Sequence, residues 1–175
     1  MEEKSISPWK SSLTYGLYLG IAIILISVIF YVTGNPFAKS AQWISYGVMI
    51  AGVIIAQFSY RKLLGEVMTY SQALAIGVLT MLFASVITGF FTYLLYAIID
   101  PSLQEQLRLS IEEQLVKQGR VPEEQIDMAV EMAAKFQKPA IMFVMSILSG
   151  TFVGLIISLI TSIFTQKKPK EDFSA

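Results

Sequence analysis

Few side chains in this sequence are suited to chemistry. The 175 residues include no histidine and no cysteine, which removes the usual general base near neutral pH, the thiol nucleophile and the soft metal ligands. Ser149-Gly150-Thr151 supplies hydroxyls, but no histidine or lysine lies near it in the sequence to activate a nucleophile. Asp100 with Glu105, and Glu112 with Glu113, are acidic pairs without the spacing of a calcium-binding loop. We therefore expect no catalytic residue, no metal site and no cofactor.

The helices that hold these residues are predicted from the stretches of sequence that contain no charged residues. Hydrophobic residues make up 54% of the chain and charged residues only 15%, below the roughly one quarter that soluble domains carry. Four stretches of the sequence contain no charged residue, and each is long enough to supply the apolar residues, about 20, that a helix needs to cross a bilayer. The sequence therefore predicts an all-α membrane protein, a single domain over residues 1–175 with spans at residues 13–32, 43–60, 72–99 and 141–164. The first span is expected to stay as an anchor, because its apolar run is longer than that of a typical signal peptide.

The polar segment at residues 101–138 is predicted to form a helical hairpin between the third and fourth spans. Asp100-Pro101 should end the third span, and Asp100 should cap the helix that follows. Gly119 is expected to end the first hairpin helix and Pro122 to begin the second. Each helix carries one apolar stripe. The stripe residues that form a possible partner surface are Leu107, Ile111 and Leu115 on the first helix and Ile126 and Val130 on the second.

Two interpretations of these stripes remain open. In the first, the stripes pack against each other and hold the hairpin closed. In the second, one stripe docks a protein partner or lies on the membrane surface. Adsorption to the membrane is the weaker form of the second interpretation, because the polar face of the hairpin is acidic and anionic lipid favours basic residues.

Lysine and arginine counts in the short loops predict the orientation in the membrane. The first loop holds only Lys39, whereas the two tails and the second loop hold seven basic residues: Lys4, Lys10, Arg61, Lys62, Lys167, Lys168 and Lys170. By the positive-inside rule, both termini are expected in the cytoplasm and the hairpin on the far side. Lys135 and Lys138, close to the fourth span, argue weakly for the opposite orientation.

Three of the four predicted spans carry small residues at intervals that let another helix approach closely. In lipid, such packing replaces the missing hydrophobic drive between helices. Packing within one bundle explains these seams most simply; homodimerisation through one seam and a polar conduit lined by the serines are the alternatives. The helix-packing positions are Ser146, Gly150, Gly154, Ser158 and Ser162 in the fourth span, Gly16 and Gly20 in the first, and Gly77 and Gly89 in the third.

These patterns predict a non-enzymatic function. No ionisable side chain other than tyrosine lies within a predicted span, whereas pumps and proton-coupled carriers normally place one there. We expect a scaffold or accessory subunit in the lipid bilayer that presents the acidic hairpin to a protein partner. A net charge of zero argues against a nucleic-acid partner. The alternative function is an oligomeric passage for a small solute or ion. A continuous polar lining across the assembled bundle would favour the passage, whereas a dry, tightly packed centre would favour the scaffold.

The order of these elements resembles a family of bacterial four-helix membrane proteins known as domain of unknown function four-one-nine-nine. The resemblance rests on Thr69-Tyr70-Ser71-Gln72-Ala73 at the start of the third span, on Asp100-Pro101 at its end and on the acidic helical segment before the fourth span. It covers about residues 8–165. It implies a location in the bacterial inner membrane, with the hairpin in the periplasm, and it implies no activity.

Overall fold

The computed structural model describes residues 7–119 and 122–167, and in these ranges nearly all residues are helical. A π-helical segment, Leu95–Ile99, continues the third helix, and within the described ranges there is no β-strand beyond one isolated bridge. The α-helices are α1 (Pro8–Val32), α2 (Lys39–Leu63), α3 (Tyr70–Leu94), α4 (Leu103–Gln118), α5 (Glu123–Phe136) and α6 (Pro139–Thr165).

Four helices of the described chain are long and apolar enough to cross a bilayer. They are α1, α2, α6 and α3 with its π-helical end, and their best windows have mean hydropathies of 2.3, 1.4, 2.3 and 2.2. The prediction of an all-α protein with four membrane-spanning helices is therefore confirmed. Each helix begins a few residues before the predicted span, because a helix of 25 residues is about 38 Å long and exceeds the about 30 Å of hydrocarbon.

Local sequence explains where several helices begin and end. Thr69 and Gln72 form a capping box at the start of α3: the Gln72 N–H donates to Thr69 Oγ1 over 3.3 Å, and the Thr69 N–H donates to Gln72 Oε1 over 2.9 Å. Gly119 ends α4 in the left-handed conformation with a φ of 59°, which glycine adopts without steric cost. Proline occupies the first turn of both α1 and α6, where its missing N–H has no helical partner.

The four membrane helices pack around α3. It has its most extensive contacts with α6 and then with α1, while α2 packs less extensively against α1, α3 and α6. One buried cluster joins α2 and α3 with the loop between them, and a second joins α1, α2 and α3. The first contains Ala56, Tyr60, Met68, Ala73 and Ile76, and the second contains Leu19, Val53, Met81 and Ala84.

The connections define two ends of the bundle. At the hairpin end, Tyr31 near the end of α1 donates a hydrogen bond to Asp100, which precedes the hairpin formed by α4 and α5. At the opposite end, Met68 in the α2–α3 loop and Lys167 after α6 exchange two backbone hydrogen bonds of 2.9 and 2.8 Å. The hairpin and the α1–α2 loop therefore share one end, and the α2–α3 loop and the end of α6 share the other.

Candidate functional site

The hairpin is joined to the bundle by a small set of hydrogen bonds at its base. The Tyr31 hydroxyl donates to Asp100 Oδ2 over 3.0 Å, and Gln104 Nε2 donates to the carbonyl oxygen of Tyr96 over 3.1 Å. The hydrogen bond from the Ser102 hydroxyl lowers the pKa of Asp100 most, and the bond from Tyr31 lowers it further against the effect of desolvation. Asp100 is therefore ionised at neutral pH and fixes the end of α3 to the end of α1.

Asp100 does not cap α4 as predicted. The N-cap position is Ser102, and Asp100 Oδ1 instead accepts a hydrogen bond of 3.1 Å from the Ser102 N–H. The residue that precedes Pro101 lies outside the helical region, with a φ of −144° and a ψ of 83°, so the chain turns once more before the helix begins. The carboxylate stabilises that turn.

The two hairpin helices pack against each other along the predicted stripes. Ile126 and Val130 of α5 are buried, with 8% and 3% of their surface exposed. Leu107, Ile111 and Leu115 of α4 are half-buried. This packing favours the interpretation that the stripes hold the hairpin closed. As a partner surface the five residues remain a prediction, and Ile126 and Val130 have little surface to offer while α4 and α5 stay together.

A second apolar stripe on α5 is exposed. Met128, Met132 and Phe136 follow one another at four-residue intervals, and 65%, 57% and 61% of their surfaces are exposed. At 100° per residue they lie about 80–160° around the helix from Ile126, so they cannot share its contact with α4. We call these three residues the outer stripe. The sequence pattern concealed it, because the apolar side of α5 is wide enough for two separate faces.

In the described part of the hairpin, two ion pairs lie along α4. Arg108 lies 2.9 Å from Glu105, and Lys117 lies 2.6 Å from Glu113. A hydrogen bond from the cation of each pair lowers the pKa of Glu105 and of Glu113. Within residues 7–119 and 122–167, no three acidic, histidine or cysteine side chains are grouped to hold a metal ion. The acidic pairs of the sequence are thus not assembled into a ligand set in this part of the chain.

The small residues of α1 lie against α3. A Cβ atom added to Gly16 would lie 2.6 Å from Phe83 Cβ and 2.8 Å from the Thr80 carbonyl oxygen. One added to Gly20 would lie 3.2 Å from Ile87 Cβ. Because the nearest atoms at Gly16 include backbone, only glycine permits this approach.

The small residues of α3 and α6 lie against each other. Ser146 donates a hydrogen bond to the Ser85 carbonyl oxygen over 3.1 Å, while Ser158 and Ser162 are fully buried. In the described residues the seams of α3 and α6 face each other inside the bundle, while Ser146 and Gly150 keep part of their surface exposed. A Cβ atom added to any of four glycines would lie closer than 3.0 Å to a side chain of the other helix, a distance that real Cβ atoms essentially never show. The pairs are Gly77 with Ser158, Gly89 with Ser146, Gly150 with Ser85 and Gly154 with Met81.

A buried glutamine joins three helices near the opposite end of the bundle. Gln57 of α2 is fully buried, and its Nε2 donates to the Ala73 carbonyl oxygen over 3.1 Å and to Ser162 Oγ over 3.2 Å. Its Oε1 accepts a hydrogen bond of 3.1 Å from Thr165 Oγ1. In hydrocarbon an unpaired amide is costly, so these bonds hold α2, α3 and α6 in one register.

The same end is closed by charged residues. Arg61 Nη1 donates to the Thr165 carbonyl oxygen over 3.2 Å, and its Nε lies 3.5 Å from Glu66 Oε2. Lys167 Nζ lies 3.8 Å from the same carboxylate oxygen. The α2–α3 loop is thereby tied to the segment after α6 by charge as well as by backbone hydrogen bonds.

The hydroxyls that sequence reasoning considered as nucleophiles are engaged with their own helix. Ser149 Oγ donates to the Ser146 carbonyl oxygen over 3.4 Å, and Thr151 Oγ1 donates to the Ile147 carbonyl oxygen over 2.7 Å. Ser149 is also on the exposed side of α6.

This arrangement of four spans with a hairpin before the last agrees with a known family. Residues 14–167 match the family described as "Protein of unknown function (DUF4199)". The chain belongs to this family. The match extends from the second turn of α1 past the end of α6, so it includes the hairpin as well as the membrane helices. The predicted family is confirmed, and the bacterial origin that the resemblance implied remains a prediction.

No curated protein and no solved structure matches the chain. The family description assigns no activity, so the function has to be inferred from the residues themselves. Sequence reasoning missed two features of them. The only signal for Gln57 in the sequence is an amide side chain inside an apolar run. The only signal for the outer stripe is a second set of apolar residues on α5, spaced four residues apart.

Proposed function

We propose that this protein is a non-enzymatic membrane scaffold or accessory subunit that presents its acidic helical hairpin to a protein partner. The observation that carries the proposal is the outer stripe of α5. Met128, Met132 and Phe136 lie outside the membrane-spanning helices and are more than half exposed. Single exposed apolar residues are ordinary, but three in one row on a helix are typical of a helix that docks into a groove.

The chemistry of the hairpin specifies the kind of partner. Residues 100–138 contain eight acidic and five basic residues, so the segment has a net charge of −3. Glu131 lies beside the outer stripe, about 60° around α5 from Met128, and Asp127 lies about 140° from Met132; both are exposed. A partner that fits this surface has an apolar groove with basic residues at its edge. Methionine suits such a contact because its side chain adapts to irregular surfaces.

The packing of the bundle supports a scaffold over a passage through a single copy. A Cβ atom at Gly77, Gly150 or Gly154 would overlap a side chain of the neighbouring helix. The buried polar groups around Gln57 are therefore embedded between closely packed helices. The alternative, a passage for a small solute or ion, would have to lie between copies of the chain.

The proposed location is the inner membrane of a bacterial cell, with both termini in the cytoplasm and the hairpin on the far side. The opposite end of the bundle carries Arg61, Lys62 and Lys167, whereas the α1–α2 loop at the hairpin end is followed only by Lys39. This asymmetry supports the orientation through the positive-inside rule.

Single cysteines test the orientation, since the chain has none of its own. In intact cells, an impermeant thiol reagent is expected to label Glu113→Cys on α4 and to leave Ser174→Cys unlabelled until the cells are opened. Both variants should be labelled fully after lysis. Labelling of Ser174→Cys in intact cells, with Glu113→Cys protected, would reverse the proposed orientation.

Photo-crosslinking tests the proposed partner surface. A photo-reactive phenylalanine analogue in place of Met132 is expected to crosslink to a protein partner in membranes of the native host. The same analogue in place of Asp127, about 140° around α5 from Met132, should crosslink weakly. Met128→Asp should abolish the crosslink from position 132, because a carboxylate would be buried in an apolar groove.

The control for added charge is Gln114→Asp, on the exposed side of α4. It should leave the crosslink intact and both variants should retain their helicity. Equal crosslinking from positions 127 and 132, or a crosslink that survives Met128→Asp, would contradict the proposal. A product with twice the mass of the chain would identify a second copy as the occupant and would favour the oligomeric alternative.

A further inference from the structure

The inference concerns a groove between α1 and α2 that faces the surrounding membrane. Its volume is about 270 Å³. Its edges are open to the outside of the bundle, since Tyr18 and Ile55 have 63% and 57% of their surfaces exposed. The lining is apolar except for two tyrosines and consists of Tyr15, Tyr18, Leu19 and Ala22 of α1 with Val48, Ala51, Gly52 and Ile55 of α2.

The position of the groove determines which molecules reach it. The lining residues lie within α1 and α2, both of which are membrane-spanning helices, and they extend over about 11 Å along each helix. At this depth the surrounding medium is hydrocarbon, so soluble ligands are excluded. The volume falls just below the about 300–1,000 Å³ of typical ligand pockets, so it suits a single hydrocarbon chain rather than a bulky ligand.

The bottom of the groove is shaped by a close contact. Leu19 is buried, and a Cβ atom added to Gly52 would lie 2.7 Å from Leu19 Cδ1. Gly52 thus brings α2 close to α1 at this level, while Ala22 and Ala51 leave space beside the contact. Ala22 and Ala51 thus line a space open to lipid, whereas Gly52 faces a side chain of the other helix, as the glycines of the α3–α6 seam do.

A basic residue lies beyond the end of the groove, on the same side of α2. Lys62 follows Ile55 by seven residues, which places it about 20° around the helix and about 10 Å along it. Lys62 is exposed and is not among the ion-paired cations of residues 7–119 and 122–167. Its neighbour Arg61 is engaged with Glu66 and with the Thr165 carbonyl oxygen. Lys62 therefore offers a positive charge at the level where a lipid phosphate would lie.

From the groove and this charge together, we propose that the α1–α2 groove binds one acyl chain of an anionic phospholipid whose phosphate pairs with Lys62. The apolar lining takes the hydrocarbon chain, and the ammonium group of Lys62 selects for a negatively charged headgroup. The site belongs to the leaflet at the opposite end of the bundle from the hairpin. It does not depend on the proposed partner of the hairpin.

Labelling with photo-reactive lipids tests the site. The protein is reconstituted in phosphatidylcholine vesicles with a trace of a photo-reactive lipid that carries a diazirine in its acyl chain. The photo-reactive lipid is phosphatidylglycerol in one sample and phosphatidylcholine in the other. Labelled residues are mapped by mass spectrometry. We expect labels concentrated at the lining residues of α1 and α2, with phosphatidylglycerol preferred. Ala51→Phe should fill the groove and remove most of this labelling, while the matched Ser149→Phe on the exposed side of α6 should leave it unchanged.

The headgroup is tested separately, by a variant whose change lies on the protein surface. Lys62→Gln should lower the preference for phosphatidylglycerol over phosphatidylcholine by about five-fold, as expected for one basic residue at an anionic surface. Labels spread evenly over the lipid-facing sides of all four helices, and insensitive to Ala51→Phe, would mean that the groove holds only bulk lipid and would overturn the proposal. An unchanged preference in Lys62→Gln would overturn it as well, even if Ala51→Phe failed to fold.

Discussion

Gly150→Leu is expected to destabilise the bundle strongly, because Gly150 lies where α6 meets Ser85 of α3. Even a single Cβ atom at this position would overlap Ser85 Oγ and lie 2.9 Å from Ser85 Cβ. Overpacking of this kind typically costs about 1–3 kcal/mol, and leucine adds three further carbons. Thermal unfolding in mild detergent, followed by helical circular dichroism, should show a lower midpoint for the variant.

The neighbouring substitution Ser149→Leu is the matched control, since Ser149 is on the exposed side of the same helix turn. It should leave the midpoint nearly unchanged, because surface substitutions usually stay within about 0.5 kcal/mol. A double-mutant cycle sharpens the test. Ser85→Gly removes the atoms that a Cβ at position 150 would meet, so the pair Gly150→Ala and Ser85→Gly should cost less than the sum of the single changes. Additive effects, or equal midpoints for the two leucine variants, would show that Gly150 is not at a close contact.

Gln57→Leu is expected to lower the stability by about 2 kcal/mol, although leucine is nearly the same size and more apolar. The change removes three hydrogen bonds, to the Ala73 carbonyl oxygen, to Ser162 Oγ and from Thr165 Oγ1. Hydrogen bonds between membrane helices average about 0.6 kcal/mol each in double-mutant cycles, with a maximum of about 1.7 kcal/mol. The free energy of unfolding in detergent, measured against denaturant, checks this result.

Gln42→Leu provides the control for the loss of an amide from the same helix. Gln42 is exposed on α2, where an apolar replacement facing lipid should be neutral or stabilising. In a cycle with Thr165→Val, the effects at positions 57 and 165 should be less than additive, because both variants lose the same hydrogen bond. If Gln57→Leu were as stable as Gln42→Leu, the amide would not be joining the helices.

The sequence was sufficient for the elements and their order. A charge-free run of about 20 residues has few alternatives to a membrane-spanning helix, since every backbone polar group in hydrocarbon must be paired within its own segment. The boundary at Gly119 also follows from local chemistry, because a cap involves only residues within one turn. Asp100 shows the limit of that reasoning, because the turn before α4 shifted the cap to Ser102.

The candidate site was predicted less completely than the fold. The apolar stripes of the two hairpin helices are predicted by periodicity alone. The burial of Ile126 and Val130 agrees with the stripe predicted on α5. Periodicity does not tell how wide a face the neighbouring helix covers. The contact with α4 leaves Met128 and Met132 exposed, and only the position of α4 decides this.

What the sequence by itself determined, then, is that four helices cross the membrane, that a polar hairpin precedes the last, and that three spans allow close approach. Only the tertiary structure decided which helices approach each other. A small residue removes steric bulk but attracts no particular partner, so Gly16 and Gly150 fit many pairings equally well. The pairing of α3 with both α1 and α6 depends on contacts between residues far apart in the chain, among them Gly16 with Phe83 and Gly150 with Ser85. Gln57 became informative for the same reason, since its hydrogen-bond partners on α3 and α6 meet it only once the bundle has formed.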